Sequence, residues 1–297
     1  MLLDKKIPLG FILGKIKYDI LYIALIGLAV YGIKRKYIDM LPDIPIAIPA
    51  FIGTAISVIL SFKLNQSYDR WWEARKIWGG IVNESRNLLL QLHAFLPVTE
   101  RQHLRMIGHR QIAWCHVLGR ALRGQEPLTG AERLLTSDEL AGLREQPHVP
   151  LGILRMNAEH FARLRTEGHL DRYSHVQVNS TLTQLCSLMG MAERIKSTVF
   201  PVTYRLFLHL FIYLFIVTLS ISMKNIALYY ELPLLMVISA SFLLLEKSAK
   251  HLQDPFSNLP TDTPMTAIAN TIEMNIRQLL EERDLPKRPE PAEFYLM

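Results

Sequence analysis

Four long apolar runs divide the chain, and charged residues border each of them. Three of the runs hold 18 to 20 residues, and the first lacks charge only from Ile20 to Ile33, with flanking tyrosines that extend it. A helix needs about 20 apolar residues to cross the hydrocarbon core of a bilayer. The pattern therefore predicts four transmembrane helices, at about residues 18–38, 44–63, 203–223 and 226–246.

The rest of the chain is polar. Residues 64–202 and 247–297 show helical patterning and no glycine-rich phosphate loop. Glycine, proline and charge cluster from Gly124 to Pro150, which predicts the least ordered stretch there, and the proline-rich tail at 286–291 is expected to be extended. The predicted fold class is an all-α membrane protein. We expect residues 1–297 to form one unit, with four transmembrane helices and a helical cytosolic region.

Composition agrees with this mixture, because half of the residues are hydrophobic and 20% are charged. The net charge is +6, but Lys and Arg lie mostly beside the apolar runs, where lipid headgroups explain them better than nucleic acid does. No nucleic-acid partner is therefore expected. Cys115 and Cys186 fit no disulfide or zinc spacing, so both are expected to be reduced and buried.

The distribution of basic residues beside the spans predicts the orientation. Thirteen Lys and Arg residues, beginning with Lys5 and Lys6, flank the spans on one side, against four on the other, namely residues 34–36 and Lys224. Basic flanks remain in the cytoplasm. The chain is therefore expected to be a multi-pass protein of the plasma (inner) membrane with both termini in the cytoplasm.

The second span has no glycine or proline between Thr54 and Trp78. We therefore expect it to leave the bilayer as one helix about 37 Å long, at about 1.5 Å per residue. Gly79-Gly80 is expected to end or bend this helix at its inner end.

Steps of four along this helix define one stripe that changes from apolar to polar near the membrane edge. Two interpretations fit the stripe: ordinary packing against lipid or the bundle core, and the lining of a pore. In a symmetric ring of subunits, Val58 and Phe62 would form apolar constrictions of the kind that gate by dewetting. The members of the stripe are Ile46, Ala50, Thr54, Val58, Phe62 and Gln66.

Three of the four tryptophans follow within the segment SYDRWWEARKIWGG, residues 67–80. Acidic and basic residues alternate around them. This composition fits either an interfacial aromatic belt or a subunit contact that uses cation–π interactions and ion pairs. The candidate packing residues are Arg70, Trp71, Trp72, Arg75 and Trp78.

The run AISVILSFKLNQSYDRWWEARKIWGG, followed after the last span by LQDPF and TAIANTIEMNIRQLL, resembles the bestrophin family in its bacterial branch. The resemblance covers nearly the whole chain. It implies a homopentameric ion channel with one central pore lined by the second helix. The partners implied are further copies of the chain, membrane lipid and permeant monovalent ions, chloride by family with a cation as the alternative.

The resemblance also implies site residues. The family's narrow neck has three hydrophobic residues spaced by four, which correspond here to Thr54, Val58 and Phe62, and Thr54 departs from the pattern. A second, cytosolic constriction corresponds to a position between Tyr173 and Gln177. The candidates there are Tyr173, Val176 and Gln177.

Animal members of the family bind calcium in a clasp beside the counterpart of Asp254, Pro255 and Phe256. The consecutive acids that follow in those proteins are missing here, since residues 257–262 read SNLPTD. A hard cation such as calcium needs several oxygen ligands. We therefore expect no calcium activation, no bound metal and no cofactor.

No catalytic pattern stands out, so the chain is not expected to be an enzyme. Glu231 lies in the fourth span near its outer end and could extend its carboxylate to the surface, and His209 is expected to be a packing residue. Zinc ligands on a helix usually come three or four residues apart, which argues against a metal at His103, His109 and His116.

Two other function classes compete with a channel. The first is a membrane-anchored scaffold or sensor whose cytosolic helices bind a partner protein, although the sequence identifies no soluble partner. The second is a lipid-modifying enzyme, which would need a cluster of carboxylates or histidines at the membrane face. The sequence has no such cluster.

Overall fold

The structure, a computed structural model, describes residues 9–37, 39–199, 201–287 and 295. Lys5, Lys6 and the last part of the proline-rich tail lie outside the described residues. Across the described part, the chain forms nine α-helices and two short 3-10 helices, at Val98–Glu100 and Ala131–Arg133. The α-helices are α1 (Leu9–Lys36), α2 (Ala47–Phe95), α3 (Arg101–Leu122), α4 (Ser137–Arg144), α5 (Val149–Thr166), α6 (Arg172–Ser197), α7 (Val202–Ser222), α8 (Leu228–Gln253) and α9 (Met265–Leu279).

Four of these helices, α1, α2, α7 and α8, are long and apolar enough to cross a membrane. The prediction of an all-helical fold with four long apolar helices is confirmed. Helices α1, α2 and α8 are longer than the predicted spans, since α1 begins at Leu9, α2 continues to Phe95 and α8 continues to Gln253. Apolar runs mark where a span lies, whereas backbone hydrogen bonds continue into the charged flanks.

The expected end of the second helix at Gly79-Gly80 is wrong, because α2 is a single helix of 49 residues that continues to Phe95. Gly80 serves close packing instead. A Cβ atom at Gly80 would lie 2.9 Å from Cδ2 of Leu188 on α6, so a larger residue here would require the end of the Leu188 side chain to move.

The chain divides into two compact units, and α2 contributes to both. The membrane unit contains the described residues up to Arg70 together with 199–253. Its apolar core is formed by one face of each long helix, and Phe215 of α7 packs edge-on against Phe242 of α8. Gly53 brings α2 close to Phe215, since a Cβ atom there would lie 3.2 Å from the ring.

The polar unit contains residues 71–198 and the described residues from Asp254 onward. Helix α3 lies at its centre and packs against α5 and α9. Trp78, Trp114, Phe161 and Phe256 are fully buried in its core. This core is as apolar as that of a soluble helical domain, which explains why the unit needs no contact with lipid to bury its hydrophobic residues.

The stretch from Gly124 to Pro150 differs from the expectation of low order, because it holds a 3-10 turn and α4. Thr136 and Glu139 form a capping box at the start of α4, in which each side chain bonds to the other residue's backbone N–H. The stretch also contributes apolar residues to the core, namely Leu128, Ala131, Leu134, Leu135, Leu140 and Leu143.

The two cysteines differ in environment. Cys115 is buried as expected, and burial raises the pKa of its thiol to about 12. Cys186 is exposed on α6, so the expectation that it is buried is wrong. Periodicity along α6 was too weak to assign this position to a face.

The three histidines of α3 each have a different partner. His103 contacts His160, His109 contacts Glu282 and His116 contacts Glu273, at 2.8, 2.8 and 3.0 Å. Within the described ranges, no group of three or more His, Cys, Asp or Glu side chains could hold a metal ion.

His160 is almost completely buried, between His103 and Arg110. Its Nδ1 lies 3.0 Å from Nη1 of Arg110, which can only donate, so Nδ1 accepts and the imidazole is neutral. Its Nε2 lies 2.8 Å from Nδ1 of His103 and therefore donates. Burial, together with the charge of Arg110, lowers the pKa of His160 to about 4.

This shift predicts that the polar unit loses stability in mild acid. Between about pH 6.5 and pH 4 the unfolded chain protonates His160 and the folded chain does not, so stability falls as the pH decreases through this window. In the variant His160→Gln, the difference in stability between pH 7.5 and pH 5 should shrink by about 2 kcal/mol. Thermal unfolding of the detergent-solubilised protein at both pH values measures it.

The matched control is His93→Gln, because His93 is exposed. This variant should keep the pH dependence of the wild type. An unchanged pH dependence in His160→Gln would show that His160 does not titrate on unfolding.

Candidate pore-lining face

One face of α2 is exposed along the membrane unit, with exposed residues recurring at steps of three and four. Val58 and Phe62 lie on it and are 50% and 62% exposed, and Thr54 lies one turn before them. We call this surface the α2 face. It consists of Ala50, Phe51, Thr54, Ser57, Val58, Ser61, Phe62, Asn65 and Gln66.

The opposite side of α2 is buried against the other helices of the membrane unit. Ile52, Ile56 and Leu60 belong to its apolar core, and the Tyr204 hydroxyl of α7 donates to the carbonyl of Ile59 at 3.1 Å. These contacts fix the rotation of α2 about its axis. The stripe predicted from sequence therefore lies on the outside of the folded chain.

The α2 face differs in chemistry from the exposed faces of the other long helices. Five of its nine residues carry a hydroxyl or an amide. The Thr54 and Ser57 hydroxyls donate to the carbonyls of Ala50 and Gly53 at 3.0 and 2.8 Å, which leaves their oxygen lone pairs available to water. The large exposed apolar residues of α1, α7 and α8 include Leu21, Leu25, Leu206, Phe207, Leu210, Leu214, Leu234 and Val237.

A buried ion pair connects α1 to α8 in the membrane unit. Lys34 Nζ lies 2.6 Å from both carboxylate oxygens of Glu231 and donates to the carbonyl of Ser220 at 2.8 Å. Lys34 and Glu231 are 2% and 1% exposed. Glu231 therefore does not extend its carboxylate to the surface, and Lys34, counted among the outer flanking charges, is buried beside it.

A second buried pair connects α2 to α8. Lys63 Nζ lies 2.7 Å from Oε1 of Glu246, and both side chains are nearly inaccessible. His209 Nε2 of α7 lies 3.8 Å from the other carboxylate oxygen, in agreement with a packing role. Sequence analysis missed this pair. A lysine and a glutamate at the ends of two spans are complementary in charge, but only the fold shows that they face each other.

The three aperture candidates lie in the first two turns of α6, in the polar unit. Tyr173 and Val176 are 89% and 67% exposed, and Gln177 is exposed beside them. Asp171 holds the start of this helix, because its Oδ1 accepts from the backbone N–H groups of Tyr173 and Ser174 at 2.8 and 3.1 Å.

The tryptophans of the segment 67–80 differ in burial and in their partners. Trp71 Nε1 donates to the carbonyl of Thr261 at 3.0 Å, and its ring stacks on that of Trp72, which is 46% exposed. Trp78 is fully buried in the polar unit, so the expectation that it packs at a subunit contact is wrong. Arg70, Arg75, Trp71 and Trp72 remain predicted contact residues.

Phe256 anchors the segment that follows α8, because its side chain is fully buried. Asp254 accepts from the Phe256 N–H at 3.4 Å and lies 3.4 Å from Lys196, and Pro255 accepts through its carbonyl from the Thr263 N–H at 3.1 Å. Asp262 is also buried, and burial raises the pKa of its carboxyl group.

Comparison with known proteins places this arrangement in a family. The family model for the Bacterial/Fungal Bestrophin protein matches residues 6–278. The chain belongs to the bestrophin family. This membership confirms the resemblance found in the sequence, and it agrees with the expectation that the chain is not an enzyme.

Individual relatives extend the likeness over the whole bestrophin chain. The chain is 31% identical over 287 residues to the voltage-dependent anion channel-forming protein YneE of Escherichia coli K12, covering 96% of this chain and 93% of that protein. It is 24% identical to the voltage-dependent anion channel-forming protein RSc3414 of Ralstonia nicotianae, covering 97% and 94%.

The fold agrees with a solved bestrophin structure. The crystal structure of a bacterial bestrophin homologue from Klebsiella pneumoniae superposes with a TM-score of 0.84 at 27% identity, covering 91% of this chain and 100% of that chain. This bestrophin is therefore a multi-pass membrane protein with the all-helical fold of its family.

The Lys34–Glu231 pair predicts a specific pattern of stabilities. Lys34→Met alone leaves a buried carboxylate without its cation and should cost about 3 to 5 kcal/mol. The double variant Lys34→Met, Glu231→Leu removes both charges and should recover most of this loss. Unfolding of the purified bestrophin in detergent measures both.

The control is Lys224→Met, which removes an ion pair to the largely exposed Asp43. Its effect should be much smaller, because exposed pairs contribute little. Equal stabilities of the single and double variants would argue against an uncompensated buried charge.

Proposed function

We propose that the chain is a subunit of a homopentameric channel that passes small monovalent anions through a central pore lined by the α2 face. The observation that carries the proposal is the hydroxyl- and amide-rich exposed face of α2 within an otherwise apolar membrane unit. Amides in contact with lipid would lack hydrogen-bond partners, whereas water in a pore supplies them. In a ring of copies with this face turned inward, the water of the pore solvates each of these polar groups.

The neck of this pore would consist of three rings, at Thr54, Val58 and Phe62. At about 1.5 Å per residue, the outer and inner rings lie about 12 Å apart along the helix. Val58 and Phe62 supply apolar rings that hold back water until the pore widens, and the Thr54 ring is polar. Their exposure within one subunit supports this assignment, since a pore-lining residue cannot be buried in its own chain.

Anions are the proposed permeant ions because the relatives are named as anion channel-forming proteins. The neck itself contributes little selectivity by charge. The lysine nearest to it, Lys63, is neutralised by Glu246 on the buried side of α2. Charged rings elsewhere in the assembly would then decide which ions enter.

The second constriction is assigned to the exposed start of α6. Tyr173, Val176 and Gln177 present uncharged side chains there, so the same weak charge preference applies. The polar unit and both termini are assigned to the cytoplasm, on the distribution of Lys and Arg. In a native mass measurement, the assembly should have five times the 34.1 kDa mass of the chain.

Truncation of the two apolar neck rings tests the pore. The double variant Val58→Ala, Phe62→Ala should raise the unitary conductance or open probability several-fold, because the wider neck holds water more easily. Single-channel recording of the purified protein in planar bilayers measures both quantities.

The matched control replaces the same residue types at exposed positions on α7 and α8, as Phe207→Ala, Val237→Ala. Phe207 is 62% exposed, as Phe62 is, so the control variant loses a comparable exposed apolar area away from the proposed pore. The control should leave the currents unchanged. Silent bilayers with the wild type and both variants would argue for a scaffold or sensor instead of a channel.

Asymmetric salt tests the sign of the permeant ion. Under a tenfold gradient of potassium chloride, the reversal potential should approach the Nernst value of chloride, about 59 mV in magnitude. A reversal potential of the opposite sign would reject anion selectivity and leave the pore itself intact.

A further inference from the structure

A cavity of about 330 Å³ lies in the polar unit, between the end of α3, the 3-10 turn at Ala131–Arg133 and the start of α9. Arg120, Arg123 and Arg133 line it together with His116. No Asp or Glu is among the described residues that line it. The formally charged side chains of its lining are therefore all arginines, among uncharged ones, although the unit around it is rich in carboxylates.

Arg123 has two donors that the folded chain does not use. Its Nη1 donates to the Thr266 hydroxyl at 2.6 Å. Its Nε and Nη2 are inaccessible to solvent and have no hydrogen-bond partner among the described residues. An unpaired buried donor of a charged group destabilises the protein, so such groups in native proteins call for a partner.

The charges around Arg123 also favour a negatively charged partner. Burial lowers the pKa of its guanidinium, Asp262 opposes this shift, and Arg120 adds to it. Arg120 uses Nε for the carbonyl of Glu126 at 2.7 Å, and in the described part of the chain its terminal nitrogens have no partner. Two neighbouring guanidinium groups thus lack a carboxylate bound to them.

The other two basic side chains of the wall, Arg133 and His116, already bind a carboxylate. Arg133 lies 2.5 and 2.6 Å from the oxygens of Glu273, and His116 lies 3.0 Å from the same carboxylate. Burial raises the pKa of Glu273, but the hydrogen bonds from His116 and Arg133 outweigh it and hold the pKa far below its ordinary value. The positive charge of the wall to which no carboxylate is bound is therefore at Arg120 and Arg123, and Asp262 offsets part of it at Arg123.

The first turn of α9 adds to this charge. Thr266 lies in that turn and lines the cavity, and the N-cap residue Pro264 provides no side-chain cap. The first N–H groups of a helix have no intrahelical acceptor, and this end carries a partial positive charge. A structural role at the end of α3 explains the bond of Arg120 Nε, but it does not explain the two unpaired donors of Arg123.

We propose that this cavity binds a phosphate group, either as inorganic phosphate or as the phosphate monoester of a small molecule. Nε and Nη2 of a guanidinium form a fork that matches two oxygens of a tetrahedral oxyanion. Both atoms of Arg123 are closed to solvent in the folded chain, so its side chain must turn toward the cavity to bind the phosphate group. The terminal nitrogens of Arg120 supply further donors. The volume is at the lower end for ligand sites, which suits a small ligand. The site is independent of the proposed pore.

The experiment uses the full chain in detergent, with thermal unfolding and calorimetric titration at constant ionic strength set by chloride. Inorganic phosphate and glucose 6-phosphate are the two probes. At least one of them should raise the melting temperature saturably. Arg123→Gln should weaken its binding about tenfold or more, since a charge-assisted bidentate contact is lost. Arg120→Gln should weaken it as well.

The control is Arg155→Gln, because Arg155 is an exposed arginine of the polar unit that pairs with Glu159. It should bind the probe like the wild type. Size-exclusion elution and helical circular dichroism show that each variant folds, and Arg120→Gln remains informative should Arg123→Gln be unstable. Preference for one probe identifies the source of the phosphate group. No saturable effect of either probe, or equal binding by wild type, Arg120→Gln and Arg123→Gln, would overturn the proposal.

Discussion

The buried ion pair between Lys63 and Glu246 is the constraint on which the candidate pore-lining face depends. A charged lysine enclosed among apolar helices must face its carboxylate, because either charge alone would be strongly destabilising. Lys63 therefore fixes the rotation of α2 against α8, with Ile56 and Leu60 on the same buried side. Val58 and Phe62 lie on the outside as a consequence. The Lys34–Glu231 pair fixes α1 to α8 in the same way.

Paired charges also explain how a membrane unit with few polar contacts acquires one defined arrangement. Apolar side chains pack between helices in several rotations at similar free energy, since lipid is as apolar as leucine. A buried lysine is compatible with only one of these rotations, the one in which it faces its carboxylate. Small residues then allow close approach, as at Gly53 against Phe215. The polar residues of the α2 face are left outside, where in the proposed assembly they contact water.

The polar unit uses its titratable groups differently. The histidines of α3 are bound to separate partners, and buried Glu273 binds three basic side chains at once, Arg133, His116 and Arg277. These networks lie around an apolar core that includes Trp114 and Phe256. Arg123 is one of several residues of this unit with buried polar atoms that have no partner, but it combines two such donors with a formal charge. That combination, beside a cavity lined by further arginines, is what distinguishes it.

The sequence by itself determined the four apolar helices, the continuity of the second helix to Trp78 and the family, since each depends on local composition or contiguous motifs. The same local evidence misjudged Gly79-Gly80, Cys186 and Trp78. A glycine pair favours a helix end but does not require one, and at Gly80 it gives room to the side chain of Leu188. Only the tertiary structure decided the partners of Lys34 and Lys63 and the surroundings of Arg123. Those partners are about 140 to 200 residues apart along the chain, and no periodicity along one helix encodes which side chain a distant helix will present.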